Sequence, residues 1–230
     1  MVLKVIDLET TGLDPVNDAI IEIASIDLKA GGTFVNAQST LVNPGRPIPP
    51  ESSAVHGIID ADVVQSPKMR EVIGDYDGAD AYVAHNFEME RDFLEPLIGK
   101  KVWVCTYRCA VRAWRDLPSY KNEVIRYAKG LINPLGVDRA KIVPHRAHSD
   151  ILVTGAIMTE LLKVANFATL VEWTNAPLYL PRFFFGMHQG TPIEQVPADY
   201  LQWVLKQKNM DPDALYTARF ELERRRTKAA

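Results

Sequence analysis

A chain of 230 residues, 47% of them hydrophobic, holds enough apolar material for one substantial core with a small appendage. Its formal net charge of −3 excludes a protein that coats a duplex through a broad basic surface, but it suits an enzyme that grips a few nucleotides at a chain end. Cys105 and Cys109 are too few for a disulfide framework and lack a second ligand pair for zinc; with no signal peptide and no apolar run of membrane-spanning length, the expected address is the cytoplasm, with no membrane partner.

The first nine residues, MVLKVIDLE, read as a strand whose apolar course ends in Asp7 and Glu9. Side chains two apart on a strand point the same way, so these carboxylates stand together on one face. Carboxylates so close repel each other unless a cation sits between them, and hard ions such as Mg²⁺ or Mn²⁺ take such oxygen ligands. A strand end running into solvent is the ordinary alternative. Thr10 to Asp18 is turn chemistry, followed by β-rich runs at Ala19–Leu28 and Thr33–Pro44, which predict an antiparallel meander. Residues 45–66 read as loop with short helical pieces. A helix is expected over Pro67–Tyr76, a strand over Ala81–Asn86 running into a helix over Phe87–Leu97, and another strand over Val102–Thr106 with a helix behind it. The predicted class is α/β: a mixed sheet of three antiparallel strands followed by βαβα, with helices on its faces.

At about 100° per residue, Met89, Phe93, Leu94, Leu97 and Ile98 form one apolar arc, and Glu90 falls near its middle. An inward carboxylate must be paired or bind a metal; Asp92 falls on the solvent side. In His145–Val164, Asp150 lies on the stripe of Ile157 and Leu161, near a helix N-terminus that favours its ionised form. His145 cannot share a helical face with Asp150, but Pro144 places it in the lead-in to the helix, free to turn toward the same site. A loop histidine and a helix-capping acid are the plainer alternative.

Together, D-L-E-T-T-G-L at 7–13, A-H-N-F-E-M-E at 84–90 and H-R-A-H-S-D at 145–150 resemble the three motifs of the DEDDh (DnaQ-like) 3′-5′ exonucleases. The resemblance implies a ribonuclease H-like fold, an exonuclease domain over residues 1–168 and a small C-terminal helical module over 169–230. It implies that Asp7, Glu9 and Asp150 hold two Mg²⁺ or Mn²⁺ ions, that Glu90 completes the set, and that His145 is the general base. Most of the family carries aspartate where this chain has Glu90; glutamate adds a methylene and still reaches a metal or its water. The resemblance further implies that Thr10 and Leu13 touch the terminal nucleotide, with Leu13 stacking on its base, and that Asn86 arranges the second motif. A turn residue packed under the sheet is the alternative for Leu13.

The expected activity is two-metal hydrolysis at a DNA 3′ end, single-stranded or frayed, releasing nucleoside 5′-monophosphates. An exoribonuclease of the same fold, or a catalytically silent nucleic-acid-binding protein, are the alternatives. In the C-terminal stretch, Phe183–Phe185 and the amphipathic Val196–Gln207 read as a small helical cap with its own aromatic core. Asp211-Pro212 opens a last helix whose Arg219, Arg224, Arg225, Arg226 and Lys228 offer either a solvated basic face or a nucleic-acid contact, and His188 reads as a surface residue.

Overall fold

The computed structural model describes residues 1–229; Ala230, the last residue of the expected module, lies outside them. The chain divides into two compact units, Met1–Thr174 and Asn175–Ala230.

The first unit is built on a five-stranded sheet of order β3-β2-β1-β4-β5. Strands β1 (Val2–Thr10), β2 (Ile20–Lys29) and β3 (Phe34–Leu41) form the antiparallel meander, joined by turns too short for a parallel crossover. After short helices α1 (Pro50–His56) and α2 (Asp60–Val63) and then α3 (Met69–Tyr76), strand β4 (Ala81–Ala84) pairs parallel to β1. Helix α4 (Glu88–Ile98) carries the chain to β5 (Trp103–Cys105), parallel to β4. The sequence predicts this succession of three antiparallel strands and then βαβα, and β1, at the centre of the sheet, is covered on both faces: Val5 and Ile6 point oppositely and are 0% and 1% exposed.

Helices α5 (Thr106–Ala113) and α6 (Asn122–Ala128) precede α7 (Ala147–Val164), which packs across β1 and β2. Residues Ile151 to Met158 of α7 are buried without a break, so it is a core helix and not an amphipathic one. Helix α8 (Phe167–Asn175) closes the unit, where Thr174 donates its hydroxyl to the Leu170 carbonyl and accepts the Cys105 N–H. Among the described residues no single helix is long and apolar enough to cross a membrane.

In the second unit, α9 (Ala198–Val204) and α10 (Pro212–Ala229) pack through Leu201, Val204, Ala214 and Ala218 around the buried Phe183. Arg224 and Arg225 are not a free basic face: Arg224 forks onto the buried Glu221 through two nitrogens, Arg225 donates to it through Nε and to the Ile193 and Glu194 carbonyls through Nη2, and Glu221 also accepts the Tyr179 hydroxyl. His188 is half-buried, edge-on to Tyr200 at 4.5 Å.

The α4 arc departs from its periodicity at one end. Leu97 is 47% exposed, whereas Phe93, Leu94 and Glu90 are buried and Ile98 packs against the core. Leu13 does not pack under the sheet: it projects from the first turn, 82% exposed.

That turn is closed by Asp18, whose carboxylate accepts the Thr11 hydroxyl and the Asp14 N–H, both at 3.0 Å. A Cβ on Gly12 would lie 2.3 Å from the same carboxylate. Gly12→Ala is therefore expected to displace Asp18 and lower stability by about 1–2 kcal/mol, the worth of the hydrogen bonds lost. A denaturant midpoint equal to that of the parent chain contradicts this packing.

Candidate active site

Period-two alternation at the end of β1 puts Asp7 and Glu9 on one face. The first turn of α7 brings Asp150 to them, and ligand oxygens of Asp7, Glu9 and Asp150 all lie within 4.8 Å of one another. Glu90, in the first turn of α4, is not one of that trio. It is 3% exposed, its Oε2 has no hydrogen-bond partner, and its charge acts on Asp7. Asp92, two residues on, is exposed and paired with its neighbour Arg91.

Gathered anions in a water-poor cleft resist ionising. Burial pushes Asp7 well above the usual carboxylate range, with Asp150, Glu90 and Glu9 adding to it. Glu9 is raised to about 8 by burial and then by Asp150 and Glu22. Burial raises Glu90 to about 8 and Asp150 to about 7. A divalent cation fits this donor set. It would supply the positive charge that the trio lacks, and hard oxygen donors are what Mg²⁺ and Mn²⁺ take.

His145 lies just ahead of α7 with φ +58°, in the left-handed region, and its N–H donates to Asp150 Oδ2 at 3.1 Å. Both residues line a cavity of about 590 Å³ with Asp7, Asn86, Tyr107 and Tyr120. Asn86 also has positive φ, +63°, a conformation asparagine tolerates, and it turns the chain from β4 into α4. Thr10 is buried and its hydroxyl donates to the Gly12 carbonyl at 2.6 Å, so it shapes the turn that carries Leu13.

Several residues at the site carry no sequence expectation. Glu22 on β2 is the cross-strand partner of Glu9 and is 1% exposed. It accepts Arg146 Nε at 2.9 Å, Arg146 Nη2 at 3.1 Å, the Ala147 N–H at 3.2 Å and the Ser39 hydroxyl at 3.0 Å. The signal for Glu22 was a lone charge inside the apolar run Ile20–Ser25. Tyr107 and Tyr120 stand edge to face at 6.3 Å on the cavity wall. They are tied to the second motif by His85, which burial lowers to about 4 and so keeps neutral. The Tyr120 carbonyl can only accept, so His85 Nε2 carries the proton and donates to it at 2.9 Å, and Nδ1 accepts the Thr106 hydroxyl at 2.9 Å.

The raised carboxyls have a consequence for stability. Between the usual carboxylate range and about pH 8 the native state binds more protons than the unfolded chain, so stability falls as pH rises through that window. Without divalent ions, the melting temperature is expected to be higher at pH 5.5 than at pH 8, and Mg²⁺ or Mn²⁺ is expected to raise it more at pH 8, where fewer protons compete. Thermal unfolding in EDTA and in each metal checks this; a metal-induced shift independent of pH contradicts it.

The Exonuclease family profile matches residues 5–158. Exodeoxyribonuclease 10 of Escherichia coli (strain K12) is 32% identical over 229 residues, covering 96% of this chain and 99% of that protein. DNA polymerase III subunit epsilon of Aquifex aeolicus (strain VF5) is 29% identical over 169 residues, covering 69% of this chain and 79% of its own length. Among solved structures, exonuclease X in complex with 5′ overhanging duplex DNA superposes with a TM-score of 0.64 at 33% identity, covering 75% of this chain and 99% of that one. Escherichia coli exonuclease I with a dA16 oligonucleotide, at TM-score 0.58 and 14% identity over 75% of this chain and 42% of that one, shares the fold. With the mixed sheet and its flanking helices, these matches make the fold ribonuclease H-like, and the chain belongs to the Exonuclease family as a DnaQ-like 3′-5′ exonuclease.

Proposed function

We propose that the protein is a 3′-5′ exodeoxyribonuclease that releases nucleoside 5′-monophosphates from single-stranded or frayed DNA 3′ ends. The observation that carries the mechanism is the convergence of Asp7 and Glu9 with Asp150, more than a hundred residues away in the sequence, to within 4.8 Å beside a cavity that His145 also lines. The choice of DNA is supported by the relatives, named as an exodeoxyribonuclease and as DNA polymerase subunits, and by the structural neighbours solved with DNA. The buried, unpaired thiols of Cys105 and Cys109 suit a reducing compartment, and we assign the cytoplasm.

Asp7, Glu9 and Asp150 would hold two Mg²⁺ or Mn²⁺ ions, with Glu90 completing the set from its buried position. When bound, the ions supply Lewis-acid stabilisation of charge on the scissile phosphate. His145 takes the proton from the attacking water as general base, and its backbone bond to Asp150 Oδ2 fixes that base relative to the carboxylates. Asn86 and the Tyr107–Tyr120 wall line the cavity in which the terminal nucleotide would sit, where an aromatic face grips any base by stacking. Thr10 supports the turn from which the exposed Leu13 reaches the terminal base.

A 5′-labelled single-stranded DNA oligonucleotide with Mg²⁺ is expected to shorten one nucleotide at a time, and a matched RNA oligonucleotide to be a poorer substrate. Asp7→Ala is expected to abolish cleavage. His145→Ala is expected to leave turnover about 10²- to 10⁴-fold slower, with divalent-ion binding by calorimetry nearly intact. Equal rates in both variants and the parent chain defeat the assignment; faster cleavage of RNA reverses the choice of substrate.

A further inference from the structure

His145 adopts a backbone conformation that a residue with a side chain enters only when its surroundings hold it there. On its C-terminal side the next residue, Arg146, reaches across to β2 and grips Glu22 through two nitrogens, at 2.9 Å and 3.1 Å. Five residues on, Asp150 accepts the His145 N–H at 3.1 Å. The His145 peptide is therefore held from two directions, by an ion pair to the sheet and by a bond to the helix.

Glu22 is itself fixed. Its carboxylate is 1% exposed and accepts the Ser39 hydroxyl and the Ala147 N–H as well as the guanidinium. It belongs to β2, whose register sets it directly opposite Glu9 of β1. The fork thus measures the position of the His145 segment from the strand pair that carries Asp7 and Glu9. A lysine would keep the charge of Arg146 but not the planar two-point contact that sets angle as well as distance.

We propose that Glu22 and Arg146 form a positioning pair whose task is to hold His145 in its left-handed conformation over the carboxylate cluster. This inference rests on the proposed role of His145 as general base. Neither Glu22 nor Arg146 needs to touch the substrate for the pair to act.

The test uses the full chain and the variants Arg146→Lys, Glu22→Gln and the doubly neutral Glu22→Gln/Arg146→Gln, each paired with a thermal unfolding curve so that loss of fold is read separately. With DNA and saturating Mg²⁺, Arg146→Lys and Glu22→Gln are expected to lower kcat by roughly ten- to a hundredfold with KM nearly unchanged, since a small misplacement of a catalytic group acts on the reacting geometry. The double variant is expected to lose no more than either single one, because one contact is removed in every case. In a His145→Ala background, adding Arg146→Lys is expected to change kcat by less than about twofold, on the same non-additivity.

A second readout needs no turnover. In metal-free protein, hydrogen exchange at the His145 amide is expected to be at least about tenfold faster in Arg146→Lys than in the parent chain, since the segment opens locally. Parent-like kcat in both single variants, or a loss that persists undiminished in the His145→Ala background, overturns the inference. If the parent chain itself fails to cleave DNA, the functional reading falls, and the exchange rates alone then decide whether the pair holds His145.

Discussion

Repulsion among carboxylates on one sheet face is the constraint around which this structure is arranged. The β1–β2 register sets Glu9 opposite Glu22, α7 adds Asp150, and α4 adds Glu90 from behind. Like charges directly opposite on a sheet destabilise it. Each acid is relieved differently. Glu22 has the guanidinium of Arg146 and two further donors, whereas Glu9 feels that guanidinium only at a distance, and Asp7, Glu9 and Asp150 are all pushed above the usual carboxylate range. The same deficit of positive charge that lowers stability gives the trio the donor set that a divalent ion fits.

The fold makes such a cluster sustainable by placing it on rigid parts. β1 is the central strand, buried on both faces, and α7 is buried around most of its circumference. Neither element can retreat from the other to relieve the charge, because core side chains close-pack between them. The pieces with backbone freedom lie at the junctions: Asn86 between β4 and α4, and His145 ahead of α7, both with positive φ. Strain of this kind persists where the surrounding structure over-determines it.

Much of this was legible from local periodicity. Alternation along a strand put Asp7 and Glu9 together, and a helical repeat separated the buried Glu90 from the exposed Asp92; each needs only the geometry of its own segment. The succession of three antiparallel strands and then βαβα followed from short turns and then helical connections. What depended on a distant partner was not legible. Arg146 sits inside the motif of His145 and Asp150, but its partner Glu22 is 124 residues away. Tyr107 on α5 and Tyr120 ahead of α6 both meet His85, which stands edge-on to the Tyr107 ring and donates to the Tyr120 carbonyl, a contact that no single segment's periodicity shows. Leu97 was misjudged because periodicity gives the direction of a side chain but not whether anything stands there to cover it.

Glu90 shows how these levels combine. A buried glutamate with an unpartnered oxygen costs more than a buried aspartate of the same environment only in side-chain entropy, since both carry one charge. Glu90 is outside the closely spaced trio yet near enough for each of the pair to feel the other's charge or that of a neighbour: Glu90 raises Asp7, and Glu9 raises Glu90. A proton on Glu90 therefore eases ionisation of the trio, and an ion held by the trio eases ionisation of Glu90, by the same free energy in either direction. Glu90 thus remains electrically part of the cluster, through the field inside a low-dielectric cleft, although it stands outside the closely spaced trio.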